Sequence, residues 1–106
     1  MDTKYNGWTN YETWLVNLHY DCFFEEQAQE AWDEAEKDET FSREENAALA
    51  LTDIIKETVE EFTQEGIANS NPFVTALVNS ALSTCNYYEI AKGYIESVDK
   101  DESEAA

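Results

Sequence analysis

Residues 40–66 read TFSREENAALALTDIIKETVEEFTQEG. Ser42 and Glu45 have the spacing of a capping box, in which a hydroxyl and a carboxylate satisfy backbone N–H groups at a helix start. Ala47, Leu51, Ile54, Ile55, Val59 and Phe62 then recur at three- and four-residue intervals, with Leu49 at the flank, so one side of this helix must face a core. Gly66 suits the left-handed position just past a helix end. The segment is helical on every local signal, and it sets the class of the chain as all-α.

The flanking segments follow the same logic. Upstream, residues 25–39 (EEQAQEAWDEAEKDE) space Ala28, Ala31, Trp32 and Ala35 as a helix running to about Glu39. Before it, GWTNYETWLVNL offers an Asn6-Gly7 turn, a Thr9–Glu12 capping box, a helix from near Asn10, and a core face of Tyr11, Trp14, Leu15, Leu18 and Cys22. The motif DCFF breaks the pattern, and a bend is expected at residues 21–23. Downstream, Asn71 and Pro72 occupy the N-cap and first position of a helix whose face is Phe73, Leu77, Val78 and Leu82. Asn86, with Glu89 three residues on, opens a last helix that turns Ile90, Tyr94 and Ile95 inward.

A chain of 106 residues has room for one core, and with one proline and three glycines it lacks the turn signals of a β domain. The expected architecture is a small bundle of four or five antiparallel helices. Residues 1–98 form a single helical domain, and residues 99–106 are an acidic tail with nothing to bury, expected to fray.

Composition excludes several functions. No stretch approaches the apolar length of a membrane span, and the N-terminus lacks the basic-then-apolar layout of a secretory signal, so an intracellular protein with no membrane partner is expected. Cys22 and Cys85 have neither disulfide-framework nor zinc spacing, and no metal or cofactor is expected. His19 lies three residues before Cys22, but Asp21, Glu25 and Glu26 oppose formation of the thiolate a nucleophile needs. The many carboxylates gather on exposed helix faces, which supply no pocket to separate their pKa values for acid–base work, and an enzyme is not expected. Trp8, Tyr11, Trp14 and Tyr20 could stack nucleic-acid bases, but there is no basic groove for the backbone, and Trp14 and Tyr11 are read as core with Trp8 covering it.

The stretches YNGWTNYETWLVNL (residues 5–18) and LVNSALSTCNYYEIAKGYIE (residues 77–96) resemble the opening and closing segments of a family of small proteins found mostly in bacteriophages and plasmids, without a known function. Here His19 stands where that family usually has an aromatic, and DCFF where it has a more polar turn. The resemblance implies a mobile-element origin and life in the cytoplasm of a bacterial host. It brings no catalytic residues.

Charge is the informative feature. The formal net charge is −18, and residues 25–65 carry fifteen acids against Lys37, Arg43 and Lys56. Direct binding to nucleic acid is therefore disfavoured, and a basic partner is the complement. Glu26, Glu30, Glu34 and Asp38 recur every fourth residue, as do Asp53, Glu57, Glu61 and Glu65, with Asp33 and Glu60 between. Three like-charge i,i+4 pairs per stripe cost the fold about 1–3 kcal/mol in all. A use for the charge would offset that cost. A rod with a carboxylate about every 6 Å can imitate a phosphate backbone.

The expected function is thus an acidic nucleic-acid mimic that occupies the basic groove of a host defence nuclease or effector, as an anti-CRISPR or anti-restriction protein. Its partner-binding residues would be Glu26, Glu30, Asp33, Glu34, Asp53, Glu57, Glu60, Glu61 and Glu65, on a monomer or homodimer. The competing expectation is a protein-interaction module that uses exposed aromatics such as Tyr87 and Tyr88, with acids serving only solubility.

Overall fold

The computed structural model describes residues 7–98 and Lys100. Five helices follow one another: α1 (Tyr11–His19), α2 (Glu25–Glu34), α3 (Arg43–Gly66), α4 (Pro72–Ser83) and α5 (Tyr87–Ser97). Among the described residues no helix is long and apolar enough to cross a membrane. Of the tail expected to fray, all but Lys100 lies outside the described residues, as does the Asn6 part of the first turn, although Gly7 has the positive φ of 88° that a turn there would use.

The long helix α3 organises the rest. Ser42 and Glu45 form the capping box at its start, as their spacing predicts. Ala47, Ala48, Leu51, Ile55 and Val59 are buried along one side. Against them pack Phe24, Ala28, Ala31 and Trp32 from α2 and its entry, and Tyr87, Ile90, Ala91 and Ile95 from α5. Helix α3 runs antiparallel to both neighbours. Phe23, before α2, meets Phe62 late in α3, whereas Trp32, near the end of α2, meets Arg43 at the start of α3. Beyond α5, Lys100 reaches Glu44 in the first turn of α3. Helices α2 and α5 therefore run in the same sense, on two sides of α3.

Several boundaries and faces differ from the sequence expectation. Gly66 is the last residue of α3, with Ile67 as its C-cap, and it takes no left-handed position. Helix α2 stops at Glu34, about five residues early, because Ala35 turns extended (ψ 149°). Two anchors hold that exit: Arg43 donates Nε and Nη2 to the Trp32 carbonyl (3.1 and 2.8 Å), and Asp38 accepts from the N–H groups of Thr40 and Phe41 (2.8 and 2.7 Å). In α3, Ile54 lies at the edge of the core face and Phe62 lies past its last buried residue, Val59; they stay 38% and 43% exposed.

Helix α1 is rotated from its expected setting. It buries Thr13 and Val16, leaving Tyr11, Leu18 and Cys22 exposed and Trp14 and Leu15 half-buried. The reason is a polar clasp between two helix starts. Asn10, rather than Thr9, caps α1, accepting from Thr13 N at 2.9 Å, while the Thr13 hydroxyl donates to Asn10 Oδ1 (2.7 Å) and accepts from Asn86 N (2.8 Å). Asn86 caps α5 through Glu89 N, and its amide donates to Thr9 Oγ1. Glu89 Oε1 accepts from Thr9 N at 2.9 Å instead of closing a box on its own cap. The Asn10 amide completes the ring by donating to the Thr84 carbonyl (2.8 Å). Satisfying these groups draws Thr13 inward and turns Tyr11 out.

Helix α4 begins as expected, with Asn71 accepting from Val74 N and Pro72 at the first position. No residue of it is buried, however, and Phe73 and Leu77 are 72% and 58% exposed. Only the Val78 and Leu82 side of its apolar face is half-buried, and Gln64 Nε2 bonds Asn79 Oδ1 (2.9 Å) between α3 and α4.

Candidate functional site

All nine carboxylates named from the sequence, Glu26, Glu30, Asp33, Glu34, Asp53, Glu57, Glu60, Glu61 and Glu65, are exposed on helices. Among the described residues none has a cation within ion-pair distance. Gln29 Nε2 donates to Asp33 Oδ1 at 3.2 Å, which fixes that side chain along α2. Two of the six cations are engaged at one corner, where the Arg43 guanidinium lies 3.9 Å from the Trp32 ring centroid and Lys100 Nζ lies 5.2 Å from it. These two cations thus gather at the junction of α2 and α3.

Helix geometry decides which acids form a common ridge. Successive residues turn about 100° round the axis, so each i,i+4 step drifts about 40°. On α2, Glu26, Glu30 and Asp33 lie opposite the buried Ala28, Ala31 and Trp32, and Glu34 has moved to the flank. Asp38 drops out of the expected stripe, because it lies beyond the end of α2 and serves the turn before α3. On α3, Asp53, Glu57 and Glu60 stand opposite Leu51, Ile55 and Val59, while Glu61 and then Glu65 swing round toward the Phe62 side. Lys56 sits among the α3 acids, whereas the α2 ridge has no cation within it.

The two ridges do not lie side by side. Helices α2, α3 and α5 each turn one face to a common core, so the outward faces of α2 and α3 diverge. With helix diameters of about 10–12 Å and axes about 8–10 Å apart, the ridge crests stand on the order of 20 Å from each other. A duplex major groove is about 12 Å wide by comparison. Each ridge is therefore a separate rod of charge. Their mutual repulsion is screened as the Debye length falls from about 30 Å at 0.01 M salt to about 8 Å at 0.15 M. The melting temperature should accordingly rise with sodium chloride at neutral pH, and a flat thermal-melt series would show the acids too dispersed to matter.

The aromatic candidates are redistributed. Tyr87 is buried, its hydroxyl has no hydrogen-bond partner, and burial pushes its pKa up, so it offers no outer surface; Tyr88 is half-buried. Among the aromatics that face outward, Phe23 (48% exposed) and Phe62 (43%) form a pair, in edge-to-face contact with centroids 6.0 Å apart. Tyr20 stacks on both Phe62 and Phe24, which seats the pair on the core. This turn holds Cys22 at φ +64°, a left-handed conformation that costs a non-glycine residue about 1–2 kcal/mol. The doublet Phe23-Phe24 carried a readable signal: two successive rings entering a helix cannot both point inward. Phe24 takes the core (1% exposed) and Phe23 is left outside.

The thiols are placed for packing or solvent. Cys22 is exposed, and the carboxylates of Glu25 and Asp21 push its pKa up. Burial pushes the half-buried Cys85 up to about 11. Among the described residues no three His, Cys, Asp or Glu side chains gather to hold a metal ion.

No curated protein and no solved structure matches the chain. Its sequence does match, over residues 1–102, the signature of a family of unknown function, DUF7249, and the chain belongs to that family.

Proposed function

We propose that this protein is an acidic nucleic-acid mimic of phage or plasmid origin that acts in the host cytoplasm, inhibiting a defence nuclease or effector of the CRISPR or restriction type by occupying its basic groove. The observation that carries this reading is the pair of exposed carboxylate ridges, held on packed helices, whose acids make no ion pair among the described residues. Rigid helices present charge without the ordering cost a flexible acidic tail would incur on binding. The acids repel one another in the free protein, so a partner rich in lysine and arginine gains both attraction and relief of that repulsion.

The α2 ridge is the stronger of the two. Glu26, Glu30 and Asp33 share one crest with no lysine among them, and Glu36, Asp38 and Glu39 extend negative charge beyond the helix end. Since the ridges diverge, one groove takes one ridge, and the α3 acids Asp53, Glu57 and Glu60 face a second wall or a second partner molecule.

The test is capture of the partner from host lysate, followed by competition with labelled DNA or RNA on the purified partner. The protein should displace the nucleic acid, with an affinity that falls steeply as salt rises. A stable ternary complex, with nucleic acid seated normally, would reject mimicry.

A further inference from the structure

The exposed pair Phe23 and Phe62 lies where the start of α2 meets the end of α3. We infer that this pair is the anchor of the interface and that it receives an arginine-bearing basic segment of the partner; the inference rests on the reading of the acid ridges as a protein-binding surface.

Three observations converge on it. The rings are about half exposed yet fixed from beneath by Tyr20 and Phe24, so they present apolar area that loses little freedom on binding. Acids stand close along the chain: Glu26 follows Phe23 by three residues in the first turn of α2 and Glu65 follows Phe62 by three residues on α3, while Asp21 and Glu25 line the adjoining pocket between α2 and α5. An aromatic centre with a charged rim is the arrangement of an interface hot spot. The left-handed backbone at Cys22 is retained in the turn that puts Phe23 outside and Phe24 inside.

The chemistry selects the occupant. An acidic or neutral apolar segment would strip solvent from the rim carboxylates without pairing them. A basic segment pairs them, and between the two cations arginine fits better, because its planar guanidinium stacks on a ring face while its N–H fork reaches a carboxylate. Ridge and ring pair would then divide the work, the acids meeting the cations of a groove as phosphates do and the rings meeting its arginines as stacked bases do.

The experiment uses the full chain and two peptides of equal length and charge, one with arginine and one with lysine at every basic position, and compares wild type with Phe23→Leu and with Phe23→Leu/Phe62→Leu. Leucine keeps apolar bulk, and circular dichroism with thermal melting confirms that each variant is folded. Wild type should bind the arginine peptide roughly tenfold tighter than the lysine peptide, about threefold of that preference being lost per ring. An equal affinity for the two peptides in wild type would overturn the inference, and so would an arginine preference that survives in the folded double variant. Ring dependence without any displacement of nucleic acid from a captured partner would keep this anchor and remove the mimic. Displacement with no ring dependence would do the reverse.

Discussion

Replacing Thr13 by valine is expected to destabilise the protein by about 2–4 kcal/mol, although the two side chains have nearly the same shape. The Thr13 hydroxyl is fully buried and works in both directions, donating to Asn10 Oδ1 at 2.7 Å and accepting from Asn86 N at 2.8 Å. Valine removes both bonds, each worth about 0.5–1.5 kcal/mol net, and leaves the Asn86 N–H without its acceptor, a further cost of roughly 1–3 kcal/mol where the group is shielded from water. For a domain of this size the melting temperature should fall by about 10 °C or more. Thr13→Ser keeps the hydroxyl and should recover most of the loss. Hydrogen exchange should show α1 loosening first, since the clasp is what ties its start to the start of α5. A valine variant within ~0.5 kcal/mol of wild type in chemical denaturation would mean that the clasp is incidental. The residues that carry this clasp, Thr9, Asn10, Thr13, Thr84, Asn86 and Glu89, fall within the opening and closing motifs, TNYET and STCNYYE. Those motifs thus have a structural explanation, and the interface must be sought elsewhere.

That division also explains what was legible in the sequence. Features set by a few neighbouring residues could be read directly: the Ser42–Glu45 box, the Asn71-Pro72 start, the Asn86 cap and the break at DCFF all depend on local hydrogen bonds or on a local interruption of period. Features set by a distant partner could not. Helical spacing at Phe73 and Leu77 says that a face is apolar, but not that another helix will cover it, and none does among the described residues. Tyr11 and Leu18 fit a core face by period, yet bonds to residues more than seventy positions away rotated α1. The early end of α2 depends on Arg43, eleven residues beyond the carbonyl it binds. The acids were legible as exposed. Their division into two ridges was not, because a four-residue repeat drifts round a helix and because the divergence follows from how α2 and α3 share a core.

Neutralising the α2 ridge is the decisive test of the proposed function. The triple variant Glu26→Gln, Glu30→Gln, Asp33→Asn should weaken binding to the basic partner by on the order of 100-fold, taking about 1 kcal/mol per lost charge pair. The substitutions should leave the fold intact. All three side chains are exposed and opposite the core, and asparagine keeps a carbonyl oxygen able to accept from Gln29. Removing the Glu26–Glu30 repulsion should leave the free protein as stable as wild type or slightly more so. If the ridge meets cations as phosphates do, the slope of log affinity against log salt should become shallower by up to about 3, about one for each charge removed. The matching α3 variant, Glu57→Gln, Glu60→Gln, Glu61→Gln, should weaken binding less, because Lys56 already dilutes that row and Glu61 has drifted from its crest. Isothermal titration of the captured partner at several salt concentrations reads affinity and slope together. If the α2 variant kept its affinity within threefold and its slope unchanged, the ridge would be solvent-facing charge only, and the partner surface would have to lie on the aromatic end of the molecule alone.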